Sequence, residues 1–440
     1  MPVQWFDELA EFLRIESVSA DSESAPEVQR AGEWVCGLIR EAGGECELID
    51  WHGQPLAIGE VRASVDPERA PTVLCYGHFD VQPPDPLELW HSPPFEPEIR
   101  DGYLYGRGVA DDKGQLYMLL AAARELARDG LLRVNVRFAC DGEEETGGHS
   151  IVEYLEGDER GAGAAIIFDS GMIAPGLPAF NVATRGLAYF HLTMQTGERD
   201  LHSGMYGVAA MNASHALIQT LGAVLPTDGR LPEPLRQGIV PPTKAELESW
   251  RELPAGAEEL SDQGARPADA GAAEAFYYRT TAEPALDVNG IGSGSPHAQK
   301  TVLPVRADAN VSIRLAPGQD PDTIAAAFRA LLYDAAPAGA ELVVDLLSSS
   351  PPGRVSPDAP AIQLGQRAFE RAVGVRPALI RTGGSLPIVA ALGDKGIPTI
   401  ITGFSLPDAN IHSPDERLRV EYVDLGIAAA RALFEEFAAL

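Results

Sequence analysis

PTVLCYGHFDVQP, residues 71–83, decides the reading of the chain. PTVLCY is an apolar, β-favouring run of the kind buried in the centre of a sheet. The strand that it opens reads on through His78 and Asp80, and Pro83 ends it and turns the chain away. Residues two apart in an extended segment face the same side, so His78 and Asp80 can touch. The carboxylate then fixes the tautomer of the imidazole and leaves its other nitrogen free to bind a ligand, as in histidines that hold metals. A buried strand that ends in such a pair predicts an α/β fold whose chemistry sits at the carboxyl ends of its strands.

The surrounding sequence supplies the rest of that fold. QLYMLLAAARELARDG (115–130) reads as a helix, with Leu116, Leu119, Leu120 and Ala123 on one face and Gly130 as a stop. LRVNVRFACDG and AAIIFDSG (164–171) read as further strands. Such alternation over the first 184 residues predicts a mainly parallel sheet. Beyond residue 185 the pattern changes. LAYFHLTMQT (187–196) is a strand, 208–224 a helix, 225–275 a Pro-, Ala- and Glu-rich insertion, 285–291 and 305–316 strands, 321–336 a helix and 341–347 a strand. That order is β-α-β-β-α-β, a ferredoxin-like α+β unit. After a linker at 348–360 the α/β pattern resumes, with a helix at 360–373, a strand at 398–404 and a final helix from Val420. The domains expected are therefore 1–184 and 351–440, forming one α/β domain, with 185–350 inserted between them.

Four more stretches carry groups that fit the His78–Asp80 pair. GRGVADDKG (106–114) puts Asp111 and Asp112 in a glycine-flanked loop before a helix, where one of the two is suited to cap it. DGEEETGG (141–148) sets Glu143, Glu144 and Glu145 after an apolar strand, FDSG sets Asp169 after AAIIF, and ANIHSPDE sets His412 after PTIITGF. All lie at or just beyond the ends of predicted strands, which converge on one crevice in an open parallel sheet. Carboxylates crowded there without cations would repel and protonate. Asp111, Glu145 and Asp169 as anions, with His78 and His412 neutral, leave one charge for a hydroxide against two dications. Mixed nitrogen and oxygen donors without thiolate suit Zn²⁺, and also Mn²⁺ or Co²⁺.

Composition sets limits on partners. A formal net charge of -30 over 440 residues argues against binding nucleic acid or an anionic membrane surface. No stretch approaches 18 uninterrupted apolar residues, and the acidic start MPVQWFDELAEFLRI is unlike a signal peptide. Cys36, Cys46, Cys75 and Cys140 form no CxxC pair, which predicts a reduced, cytoplasmic protein.

GHFDVQP, GRGVADDKG, DGEEETGG, DLHSGMYG (200–207) and IHSPDE, in that order and spanning essentially the whole chain, resemble the M20 family of metallopeptidases, a zinc-exopeptidase-like fold with an inserted lid. The resemblance implies that His78 and Asp169 hold one metal, Glu145 and His412 the other, that Asp111 bridges them, and that the Asp111–Asp112 peptide is cis. It implies Asp80 as the residue orienting His78. Among the three glutamates it selects Glu144 as general base. It makes His202 an oxyanion donor acting across a homodimer built through the lid domain. It makes Arg314 a clamp for a substrate carboxylate, with Asn289, Thr301 and Ser385 as further substrate contacts. Within the family, the dipeptidases that include carnosinase-like enzymes are nearest, so the substrate expected is a dipeptide or very short peptide. Another amide hydrolase of the family, an N-acyl-amino-acid deacylase, a carboxypeptidase or a desuccinylase, is the alternative. An inactive binding protein is a third reading.

Overall fold

A computed structural model describes residues 5–295, 297–384 and 386–440. The chain divides into two compact units. The first comprises Met1–Val182, Val355–Ile380 and Ala391–Leu440, and the second Ala183–Arg354 with Arg381–Ala390.

The first unit is built on an eight-stranded sheet in the order Glu45–Trp51, Gln54–Val61, Asn135–Asp141, Thr72–His78, Ala164–Phe168, Thr399–Thr402, Ala179–Ala183, Ala378–Arg381. The centre is parallel: Thr72–His78 pairs in parallel with Asn135–Asp141 and with Ala164–Phe168, which pairs in parallel with Thr399–Thr402. Antiparallel strands flank it. Asn135–Asp141 is buried at every position, as a central strand covered on both faces requires. Helices Ala25–Glu41, Lys113–Arg128, Pro360–Val373 and Val420–Glu436 supply the residues of the main core, among them Val35, Leu119, Phe369 and Leu433. The parallel pairing brings the ends of three strands, at His78, Asp141 and Phe168, to one edge.

In the second unit a four-stranded antiparallel sheet runs Ala285–Gly292, Arg306–Leu315, Gly186–Gln195, Glu341–Ser350. Ala188, Phe190, Leu192 and Met194 alternate onto the face that packs against helices Ala213–Gly222 and Pro321–Ala335. Arg381 closes this unit from a distant point of the chain, its guanidinium buried against Glu246 at 2.6 Å.

Several local expectations are corrected. The Thr72–His78 strand stops at His78 and not at Pro83, and Val81 makes only an isolated bridge to Val18. The helix expected over 208–224 is Ala213–Gly222, because Asn212 caps it by accepting from the Ser214 and His215 amides. The last strand of the second unit extends to Ser350, into the expected linker. Cys75 and Cys140 are free and buried, whereas Cys36 and Cys46 are joined in a disulfide. A turn at Gly43, in the left-handed region at φ 80°, folds the Glu45–Trp51 strand back on the Ala25–Glu41 helix and brings those two cysteines together.

Candidate metal centre

His78 closes its strand with a fully buried side chain. Its Nδ1 lies 3.1 Å from the Asp80 carbonyl oxygen and 3.3 Å from the Asp80 carboxylate, so both oxygens select the tautomer that leaves Nε2 as the ligand atom. That Nε2 is 3.0 Å from Asp111 Oδ1 and 3.9 Å from Asp169 Oδ1. On the other side of Asp111, Oδ2 lies 2.9 Å from His412 Nε2, which is itself 3.2 Å from Glu145 Oε2. Two groups of potential ligands result, His78–Asp111–Asp169 and Asp111–Glu145–His412, and within each the ligand atoms lie within 4.8 Å of one another. Asp111 belongs to both.

The backbone is shaped for this convergence. The Asp111–Asp112 peptide is cis, and His412 lies in the left-handed region at φ 59°, a conformation uncommon outside glycine. Asp112 is the N-terminal cap residue of the Lys113–Arg128 helix but makes no side-chain cap bond. Its Oδ2 accepts the His78 amide at 3.1 Å instead, which corrects the capping role considered for it. The carboxylate of Asp80 does more than face His78. It accepts from Ser19 Oγ at 2.6 Å and from the Glu144 and Glu145 amides at 3.2 and 3.1 Å. Gln82 Nε2 donates to Glu145 Oε2 at 2.9 Å. Ser19 and Gln82 were not singled out by sequence reasoning. Gln82 lies inside the quoted GHFDVQP stretch, but no periodicity distinguishes a side chain that reaches 63 residues along the chain.

The electrostatics without cations test whether metals fit. Burial, followed by the charges of Asp111 and Asp112, pushes the Asp169 carboxyl well above the usual range. Burial also raises Glu144 to about 7; His78 opposes this, and Glu145 and Asp111 reinforce it. Asp111 goes the other way despite burial, because hydrogen bonds to His412 and His78 lower it. His412 is driven up to about 10 by its bonds to Asp111 and Glu145. His78 rises too, since Asp111 and Asp80 outweigh the lowering effect of burial. Glu145 Oε1 is buried and has no hydrogen-bond partner among the described residues. Carboxylates forced to protonate and imidazoles forced to charge are relieved together by dications, so the donor set fits two metal ions.

With this geometry in view, the family follows. Residues 74–436 match peptidase family M20/M25/M40. The chain belongs to this family. Among curated proteins, a cysteinylglycine-S-conjugate dipeptidase of Corynebacterium striatum is 29% identical over 96% of this chain and 94% of its own. The human Beta-Ala-His dipeptidase is 29% identical over 98% of this chain and 86% of its own. The fold is shared with the M20 metallo-carboxypeptidase Sso-CP2 of Sulfolobus solfataricus, at TM-score 0.86, 24% identity and full coverage of both chains. It is shared also with the dipeptidase Dug1p of Saccharomyces cerevisiae, at TM-score 0.80 and 23% identity over 99% of this chain and 96% of the other. A family member from Bacillus subtilis, 13% identical over 93% of this chain and 91% of its own at TM-score 0.57, is described as a dinuclear metal-binding peptidase. An M20 peptidase is a hydrolase of amide bonds, and no helix among the described residues is long and apolar enough to cross a membrane.

The other expected residues lie in the second unit. His202 is exposed at the start of a short helical turn, where its Nδ1 accepts the Gly204 amide at 3.1 Å. A neutral ring so held carries its proton on Nε2 and is a donor there. Thr301 is its neighbour: His202 pairs with Val302, and the Thr301 carbonyl accepts from Ser203. Asn289 is exposed at the register shift between Val288 and Gly290, left out of the pairing by a bulge. Arg314 is half-buried near the end of its strand, opposite Leu187 and Ala285. Ser385 lies outside the described residues.

Proposed function

We propose that the chain is a dipeptidase dependent on two divalent metal ions, Zn²⁺ first among them with Mn²⁺ or Co²⁺ as substitutes. The observation that carries this reading is the pair of ligand groups sharing Asp111, in a chain similar over nearly its full length to curated dipeptidases. His78 and Asp169 hold one ion, Glu145 and His412 the other, and Asp111 faces both. Such a pair, when bound, polarises a carbonyl and makes a water acidic near neutral pH. Glu144 takes the water's proton and returns it to the departing amine. Asp80 holds His78 from one side and the glutamate turn from the other. Arg314 receives the substrate carboxylate through its fork of donors, with Asn289, Thr301 and Ser385 beside the substrate. Residues 1–184 and 351–440 form the catalytic domain and 185–350 a lid through which a homodimer assembles. The partner subunit's His202 donates a hydrogen bond from Nε2–H to the oxyanion. The compartment proposed is the cytoplasm, on the two free cysteines; the Cys36–Cys46 disulfide argues the other way.

The test is a panel of dipeptides, tripeptides and N-acyl amino acids offered to protein reconstituted with Zn²⁺, Mn²⁺ or Co²⁺. Dipeptides should be the fastest substrates. Preference for N-acyl amino acids or for longer peptides would move the protein to another amide hydrolase of the family. Metal binding without any turnover would make it a binding protein.

A further inference from the structure

The IHSPDE stretch holds a residue that the reading above leaves unused. Glu416 is fully buried. Its Oε2 accepts from Arg107 Nη1 at 2.6 Å and from the Gly108 amide at 3.0 Å. Its Oε1 accepts from the Ala110 amide at 2.8 Å and from the Asp111 amide at 3.1 Å. Its main-chain carbonyl accepts the Gly106 amide at 3.1 Å. The 106–111 loop is thus wrapped around a carboxylate of the same chain, in the manner of a backbone nest around an anion. Gly108 makes the wrapping possible: it has φ 84°, and a Cβ there would stand 2.7 Å from Val81 Cγ1. Arg107 is buried as well, balances the charge, and donates through Nη2 to the Pro83 carbonyl at 3.3 Å. The GHFDVQP, GRGVADDKG and IHSPDE stretches therefore meet on one buried ion pair.

We propose that Glu416 is a positioning residue that couples the two halves of the metal centre. It belongs to neither ligand group, and both its oxygens are taken by donors. Asp111 is the one residue common to both groups, and Glu416 holds its main-chain amide. Oδ1 of Asp111 faces His78 and Oδ2 faces His412. A rotation or shift of that residue disturbs both halves at once. His412 lies four positions before Glu416, so the same anchor sets the distance between the bridging carboxylate and the outer histidine. The inference rests on the reading of Asp111 and His412 as ligands.

The experiment is a titration of metal-free protein with Zn²⁺, scoring ions bound per folded chain by equilibrium dialysis. Circular dichroism and the Tm of the metal-free form serve as the check on folding. Glu416→Asp and Glu416→Gln should each bind both ions more weakly, by about 10- to 100-fold, the usual effect of removing a partner that orients metal ligands. The two ions should be lost together. His412→Ala should lose mainly one. Should Glu416→Gln fail to fold because Arg107 is left unpaired, Glu416→Asp and the double variant Glu416→Gln/Arg107→Met carry the same measurement. A folded Glu416 variant that keeps two ions at wild-type affinity, or that loses only one, overturns the coupling. Asp111→Asn serves as the control: if it retains both ions, the ligand reading itself fails, and not only the role of Glu416.

Discussion

The two units of the chain carry their functional candidates in opposite ways. In the first, His78, Asp80 and Asp112 are fully buried and tied down by hydrogen bonds, and although His412 is exposed the ligand-type atoms already lie close together. In the second, His202, Asn289 and Thr301 are exposed, and no group of three potential metal ligands occurs there among the described residues. The difference teaches where each kind of work is done. A metal centre needs its ligands fixed before the ions arrive, so it is built from loops tied down by carboxylates. Substrate-facing groups have to stay accessible until substrate comes.

The largest effect that tests this contrast is removal of metal. Chelation should abolish hydrolysis, and Zn²⁺, Mn²⁺ or Co²⁺ should restore it; activity that survives exhaustive chelation would erase the distinction between the units. Next comes Glu144→Gln, which should lower kcat by about 10²- to 10⁴-fold, the usual contribution of a general base. Elemental analysis should still find two ions. Loss of an ion as well would mean that Glu144 and Glu145 have been given each other's roles. In the second unit, His202→Ala should lower kcat by about 10²- to 10³-fold, as for loss of one oxyanion donor, with metal content untouched. Mixing inactive His202→Ala subunits with inactive Glu144→Gln subunits should regenerate activity if the histidine acts across a dimer, and a mixture that stays silent would argue against that.

A smaller change is expected from Arg314→Lys. Loss of a bidentate charged contact costs about 1.5–3 kcal/mol, and it should appear in KM for substrates with a free carboxylate and not for their amides. Equal effects on both would remove Arg314 from substrate binding. The smallest effect is on stability alone. Glu246 is buried against Arg381 and also caps the helix begun at Thr243. Burial tends to raise its pKa, but the bond to Arg381 and the Thr243 amide hold it below the ordinary 4.5. A group depressed in the folded state stabilises above its unfolded pKa, and that stability is lost as pH falls through the folded value. Tm should therefore decline below about pH 4.5, and Glu246→Gln should flatten that decline while lowering Tm at neutral pH. An unaltered pH profile would show that the pair contributes nothing to this unit.

Much of the candidate centre was legible in the chain because position along a strand is written in its pattern. An apolar run such as PTVLCY or AAIIF marks a central strand, and parallel strands bring their carboxyl ends to one edge, so His78 and Asp169 could be placed near each other from sequence alone. The ferredoxin-like order of the second unit was legible for the same reason, since Phe190 and Leu192 alternate with polar neighbours. Choice among Glu143, Glu144 and Glu145 was not legible from pattern. All three share one loop, and only the path of the turn decides which amides meet Asp80.

What the sequence determined by itself was therefore the set of layers and the list of groups available at the strand ends, because burial and periodicity are local properties of the chain. The tertiary structure decided the partners. Ser19 reaches Asp80, Gln82 reaches Glu145, Cys36 joins Cys46, and Glu416 gathers the amides of the Asp111 loop. Most of these depend on the route of the chain between points tens to hundreds of residues apart. A side chain's hydrogen-bond partner is settled by that route, and no local period records it.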